Sequence, residues 1–355
     1  MKLQNEQAPT KHLFLQACFR KPVPRTPLWI MRQAGRYLPE YRAIRAKVDF
    51  LTLCKTPQLA AEVTIQPVDI IGVDAAIIFS DILVVPEAMG MELIVEEGKG
   101  GPRFPYPIRN EGDIKKLTSP DPNRDLRFVM DALSLTRKNL ENRVPLIGFS
   151  GSPWTLATYM VEGKGSKNFR YIKEMIYNAP ATAHLLLDKL AKSVAEYLNA
   201  QIKAGAQAIQ IFDTWGGILT QEAFAEFSLR YIEKVISEIQ TSSIPIIVFC
   251  KDCGHSLNKI SDSGCNVVGL DWTIDLAEAR RQIGDKTALQ GNLDPTILYA
   301  HPDRIRSEVK SILAKYGKGS GHIFNLGHGI LPDIPVDNVK ELVKAVREES
   351  IQYHK

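Results

Sequence analysis

Short runs of apolar residues, each ended by a polar residue or a glycine, recur along the chain. They fall at Leu28–Met31, Ala75–Phe79, Leu146–Phe149, Ala208–Phe212, Ile246–Phe249, Val267–Leu270, Ala288–Gln290 and Ile323–Leu326. The runs are continuous rather than alternating, which predicts strands buried on both faces, as in a parallel sheet. Between most of them apolar residues repeat at i, i+3 and i+4, predicting helices over Thr182–Lys203, Gln221–Ile239 and Pro302–Lys315. Strand–helix alternation implies a parallel α/β fold. Eight such units imply a closed (β/α)8 TIM barrel, with a doubly wound open sheet as the competing arrangement. One insertion breaks the rhythm. Met91–Val95, Gly98–Gly101 and Arg103–Tyr106 read as a hairpin within residues 88–108, hung after the second strand. Pro102, Pro105 and Pro107 suit a rim decoration better than a central strand.

Composition narrows the picture little. With 45% hydrophobic and 24% charged residues, the 355-residue chain sits at the globular average, which excludes disorder, collagen and coiled coil. No internal repeat or low-complexity tract divides it, so a single barrel domain over 1–355 is expected, with 1–25 as an N-terminal extension. The net charge of +4 is spread along the chain, whereas a nucleic-acid binder would show a stronger, clustered excess. No run of 18 or more apolar residues is present, so no membrane-spanning segment is expected. The locally basic stretch Lys11–Arg25 lacks the apolar core of a secretory signal. Five cysteines, an odd number in a long chain, argue against a disulfide framework and for a reduced compartment. The cytoplasm is the expected location; a plastid form that had shed its transit segment would read the same.

The residues just beyond each strand carry the chemistry. Arg32, Gln33, Ala34, Gly35 and Arg36 come after the first; Ser80 and Asp81 after the second; Ser150 to Trp154 after the third; Asp213 to Gly217 after the fourth. Lys251, Asp252 and His255 succeed the fifth, Asp271 and Trp272 the sixth, Asn292 and Asp294 the seventh, and Gly327-His328-Gly329 the eighth. Barrel enzymes build their sites from these C-terminal loops. Arg32 and Arg36, four apart, could present two guanidinium forks to one anionic ligand; an exposed pair or an ion pair with Glu40 is the bland alternative. A strand end would aim Asp81 inward, although an N-cap role fits it equally well. His328 between two glycines belongs to a loop, where a functional histidine competes with a turn-stabilising one.

Three tempting motifs fall short. Cys250-Lys-Asp-Cys253-Gly-His255 has the spacing of half a zinc site, but no second cysteine pair accompanies it, so no metal site is expected. Gly163-Lys-Gly-Ser166 resembles the end of a phosphate loop, yet Thr158 occupies the position of the first required glycine. Gly317–Gly321 opens into a strand rather than coming after one, which does not fit a dinucleotide fingerprint. No cofactor is expected.

Two stretches go beyond these general arguments. PLWIMRQAGRYLPEYR at Pro27–Arg42 and GFSGSPWTLATYMVEG at Gly148–Gly163 resemble the two signature blocks of the uroporphyrinogen decarboxylase family. Phe79–Met91 and Phe324–Pro335 are similar to two further family segments, in the expected order. The resemblance implies a cofactor-free, dimeric (β/α)8 barrel in tetrapyrrole biosynthesis. Such an enzyme converts uroporphyrinogen III to coproporphyrinogen III by removing four acetate carboxyls. Carried over by position, the family's substrate-binding set falls on Arg32, Gln33, Ala34, Gly35, Arg36, Asp81, Tyr159, Thr214 and His328, with Asp81 and Arg32 as the catalytic candidates. Two positions depart from the pattern: Thr214 stands where some relatives have Ser, and Tyr41 where others have Phe.

The chemistry fits these residue types. A buried carboxylate such as Asp81 can accept from four inward-pointing pyrrole N–H groups and stabilise a cationic intermediate, while arginines anchor substrate carboxylates. The protonated pyrrole is its own electron sink, so no pyridoxal or thiamine is required. Three alternatives stay open. A zinc- and corrinoid-dependent methyltransferase on the same barrel would use Cys250, Cys253 and His255. A non-catalytic tetrapyrrole carrier would keep the pocket and lack turnover. A barrel for another polycarboxylate would fail with uroporphyrinogen itself.

Overall fold

A computed structural model describes residues 11–95 and 101–355. Seven strands form one sheet in sequence order, every neighbouring pair parallel: β1 Ala76–Ile77, β2 Leu146–Gly151, β3 Ala208–Asp213, β4 Ile246–Cys250, β5 Val267–Gly269, β6 Ala288–Gln290 and β7 His322–Ile323. Leu28 lies between the two edges. It bridges to Phe324 beyond β7, and its carbonyl accepts from Asp74 N (2.7 Å) ahead of β1. The sheet therefore curls until its edges meet across one short segment, the arrangement of a TIM-barrel-like α/β fold.

Three expected strands fall short of their apolar runs by more than one residue, and the cause is chemical. Leu28–Met31 is a single bridge because its N–H groups donate to side chains: Leu28 to Asp74, Ile30 to Gln33 and Met31 to Asn325, at 2.9–3.0 Å. Arg25 holds the Asp74 carboxylate with a two-pronged contact of 2.6 and 2.7 Å. In the same way Asn325 takes Leu326 N (2.7 Å) and Thr64 takes Phe79 N (2.9 Å), cutting short the runs at Ile323–Leu326 and Ala75–Phe79. Apolar periodicity does not register side chains that compete for backbone donors.

Alternate strand residues point inward. Ala75, Ile77, Ile147, Ala208, Ile247, Phe249, Val267, Ala288 and Ile323 pack with Trp29 and Met31 into a barrel core. The helix Leu13–Cys18, within the expected N-terminal extension, adds Phe14 and Ala17 to that core, both fully buried. Outside, the helices Pro180–Lys203 and Pro302–Tyr316 match the predicted amphipathic stretches. The predicted helix Gln221–Ile239 is instead three contiguous pieces. Gln221–Phe224 and Arg230–Ser237 are α-helical, and a π-helical turn, Ala225–Leu229, separates them. Of the expected hairpin, Ile94 and Arg103 exchange both backbone hydrogen bonds (2.9 Å each) in one antiparallel bridge, and its glycine turn at 98–100 lies outside the described residues.

Candidate active site

Every strand ends at one face, and there a cavity of about 770 Å³ opens. Arg32, Ala34, Gly35, Arg36, Asp81, Thr214 and His328 all line it, brought together from four different strand ends. The loop after Leu28 is bent by Arg32, whose φ of 64° is left-handed. Gly35 is required there, since a Cβ would stand 2.7 Å from the Arg32 carbonyl oxygen. The bend leaves the Arg32 and Arg36 side chains exposed. Among the described residues neither is in an ion pair, so the expected alternative of an Arg36–Glu40 bridge does not form. Ala34 and Gly35, with almost no side chain, leave the cavity wall open.

Asp81 is half-buried just beyond β1. Its Oδ1 accepts from Leu83 N (2.7 Å), and Oδ2 has no protein partner among the described residues. Burial raises its carboxyl above the ordinary carboxylate range, while the Leu83 N–H and the nearby Arg32 guanidinium pull it back. His328 packs at 6.2 Å from the Phe249 ring and 6.4 Å from Trp272. Burial, reinforced by the Arg32 and Lys251 charges, lowers its pKa to about 4, so the imidazole is neutral at physiological pH. A neutral imidazole can donate or accept one hydrogen bond but is no strong acid there.

This depression has a measurable consequence. The unfolded chain protonates His328 near 6.5 and the folded protein only near 4, so between those values the unfolded state binds more protons. Stability is fully present above about pH 6.5 and is lost as pH falls toward 4. His328→Gln should therefore lose less thermal stability than the wild type between pH 7 and pH 4.5, read by scanning calorimetry. An equal loss in both would contradict the depressed pKa.

Gln33 and Tyr159 stand apart from the other expected binding residues. Gln33 is fully buried; its amide accepts from Ile30 N and donates to Ala75 O, both at 3.0 Å, and does not line the cavity. Its role in the geometry is to hold the arginine loop against β1. Tyr159 is half-buried on the helix Pro153–Glu162, its ring 6.3 Å from Trp215, close enough to feel the charges of Asp81 and Arg32. Sequence reasoning missed Arg45, a third arginine on the wall at the end of the helix Pro39–Arg45, and the aromatic floor. Phe149 and Phe212 meet edge to face at 5.7 Å, and Phe79 contacts Tyr41 (5.7 Å) and Phe50 (6.0 Å). The inward register of β2 and β3 was the signal that could have found Phe149 and Phe212.

The half zinc motif does not assemble. Cys250 and Cys253 are buried with their thiol pKa values raised, and His255 is exposed with its Nδ1 on Ser256 Oγ (2.8 Å). Among the described residues no group of three His, Cys, Asp or Glu side chains could hold a metal ion.

A parallel, barrel-like α/β fold with arginines, a half-buried carboxylate and aromatic rings around a cavity at the strand C-termini has the layout of a barrel enzyme, with side chains chemically suited to an anionic ligand. Comparison with known proteins makes this particular. The uroporphyrinogen decarboxylase family model matches residues 9–349. Curated uroporphyrinogen decarboxylases from Chlorobium phaeobacteroides and Pseudomonas entomophila are 57% and 58% identical to the chain. Each alignment covers 96% of this chain, and 99% and 98% of the two relatives. The chain belongs to the uroporphyrinogen decarboxylase family. Among solved structures, a methyltransferase from Methanosarcina mazei superposes with a TM-score of 0.81 at 22% identity, covering 96% of this chain and 99% of its own. That likeness bears on the fold alone.

Proposed function

We propose that the protein decarboxylates the four acetate side chains of uroporphyrinogen III to give coproporphyrinogen III, in tetrapyrrole and heme biosynthesis. The observation that carries this reading is the single cavity wall on which Arg32, Arg36, Asp81, Thr214 and His328 meet above the aromatic floor, in a chain whose family is established. The substrate pairs a flexible macrocycle with eight carboxylates. The Phe149–Phe212 pair suits its pyrrole faces, and Arg32 and Arg36 suit its carboxylates. The Asp81 oxygen left free by Leu83 would accept from the pyrrole N–H groups.

Each cycle protonates a pyrrole ring carbon, giving an iminium-like cation. The acetate C–C bond then breaks, its electron pair neutralising the cation as carbon dioxide leaves. The resulting exocyclic methylene takes a proton to become a methyl group, and the ring proton is returned. Asp81 stabilises the transient positive charge, and Arg32, or a water it orients, delivers the proton. Neutral His328 serves as a hydrogen-bonding partner for the substrate. We read the whole of 1–355 as one (β/α)8 domain with a rim hairpin at 88–108, acting as a cytoplasmic homodimer without cofactor or metal. No described helix is long and apolar enough to cross a membrane.

The direct test is anaerobic incubation with uroporphyrinogen III and chromatography of the products. Coproporphyrinogen is expected; binding without turnover would favour a carrier, and no binding a different polycarboxylate. Arg36→Lys keeps the charge but loses the planar fork. Each decarboxylation removes one carboxylate that could serve as an anchor. The ratio of hepta-, hexa- and pentacarboxylate intermediates should therefore change under limiting enzyme. An unaltered rate and profile would remove Arg36 from the site.

A further inference from the structure

At the end of β3, Asp213 is a fully buried carboxylate with no cation within ion-pair distance among the described residues. Its Oδ1 accepts from Ser152 Oγ (2.7 Å) and Thr155 Oγ1 (2.8 Å), and its Oδ2 from Ser228 Oγ (2.6 Å). A carboxylate only accepts, so Ser152 Oγ and Thr155 Oγ1 donate to it, and each uses a lone pair on a backbone donor, Thr155 N (3.0 Å) and Trp215 N (3.2 Å) respectively. Ser228 lies in the π-helical turn Ala225–Leu229, and such turns recur at functional sites. Gly216 completes the pocket: a Cβ there would stand 2.5 Å from Asp213 Oδ2.

Burying an unpaired carboxylate is costly, and an apolar core would hold a strand to a helix with less penalty. What the carboxylate uniquely does is converge three donors from two helices onto the residue preceding Thr214. Trp215, on the other side of Thr214, is clamped from the same helix: Thr155 holds its N–H, and Trp154 Nε1 donates to its carbonyl (2.9 Å). The Trp215 ring in turn touches Tyr159 at 6.3 Å and Phe169 at 4.7 Å. Thr214 is thus held between two anchored neighbours, and Tyr159 leans on one of them.

We infer that Asp213, with Ser152, Thr155 and Ser228, is a positioning network that sets Thr214 and Tyr159 against the substrate. The inference rests on the decarboxylase function proposed for this site. Thr155 is the node to test, because Val matches its shape and Ser keeps its hydroxyl. In assays of uroporphyrinogen decarboxylation well below the melting temperature, Thr155→Val should lower kcat/KM about tenfold, since small misplacements near a reacting group are expensive. Thr155→Ser should stay within about twofold of wild type. In a Tyr159→Phe background the Thr155→Val loss should shrink to under about threefold, the non-additivity of residues that act through one another. Ser228→Ala, run through the same cycle, carries the test if Thr155→Val does not fold. Variants with lowered melting temperature but unchanged kcat and KM, or fully additive losses, would overturn the network's positioning role. A wild-type protein that does not decarboxylate uroporphyrinogen would instead overturn the functional reading, independently of any Thr155 variant.

Discussion

Asp81→Asn is expected to leave a folded protein whose turnover of uroporphyrinogen is slower by on the order of a hundredfold or more. The fold should survive because the amide oxygen can still accept the Leu83 N–H that now sits 2.7 Å from Oδ1. The chemistry should not survive, because the other atom becomes an NH₂ that donates where the pyrrole N–H groups also donate. The lost charge matters more. A site shielded from water stabilises a developing cation strongly only if its counter-charge is already in place. Burial holds the Asp81 carboxyl above the ordinary carboxylate range, so the wild-type acid limb should lie higher than for an exposed carboxylate, and the variant should lack it. The measurement is a pH profile of kcat/KM, which reports the free enzyme, on protein of verified melting temperature. Near-normal activity in Asp81→Asn would remove this residue from the chemistry.

The two glycines around His328 should separate activity from stability. The atoms nearest a Cβ on Gly329 would all belong to the Arg32 side chain, at 2.3 Å from Cδ and 2.8 Å from Cγ. These atoms belong to a flexible side chain that can move, so Gly329→Ala is expected to fold and to push the guanidinium off its position. A displaced catalytic group commonly costs about tenfold to a hundredfold in rate. A Cβ on Gly327 would instead meet the backbone, at 2.3 Å from Trp272 N and 2.9 Å from the Asp271 carbonyl carbon. Neither neighbour can swing aside, so Gly327→Ala should destabilise the protein by roughly 1–3 kcal/mol, as overpacking does. Parallel denaturant melts and kinetics decide the matter. Equal stability losses in both variants, with normal activity in Gly329→Ala, would mean that Arg32 does not depend on this contact.

Continuous apolar runs such as Ile246–Phe249 and Val267–Leu270, alternating with amphipathic stretches such as Pro302–Lys315, made the parallel α/β architecture legible in the sequence, because burial on both faces leaves no polar alternation. The signature blocks Pro27–Arg42 and Gly148–Gly163 made the family legible, since each is a long contiguous stretch that can be read without knowing the fold. Strand length was not legible. The N–H groups of Leu28, Ile30 and Met31 bond to Asp74, Gln33 and Asn325, partners 46, 3 and 294 positions away, and no local pattern encodes most of those contacts. Only the tertiary structure separated Gln33, buried behind the arginine loop, from its neighbours that line the cavity. Only it brought Arg45, Phe149 and Phe212 to the same wall, and set the Asp213 carboxylate under three hydroxyls from two helices. The physical reason is the same in each case. Periodicity records whether a side chain is buried, and the strand-end blocks record which chemistry is available. Which buried polar group satisfies which donor depends on distances across the closed barrel, and these exist only once the chain has folded.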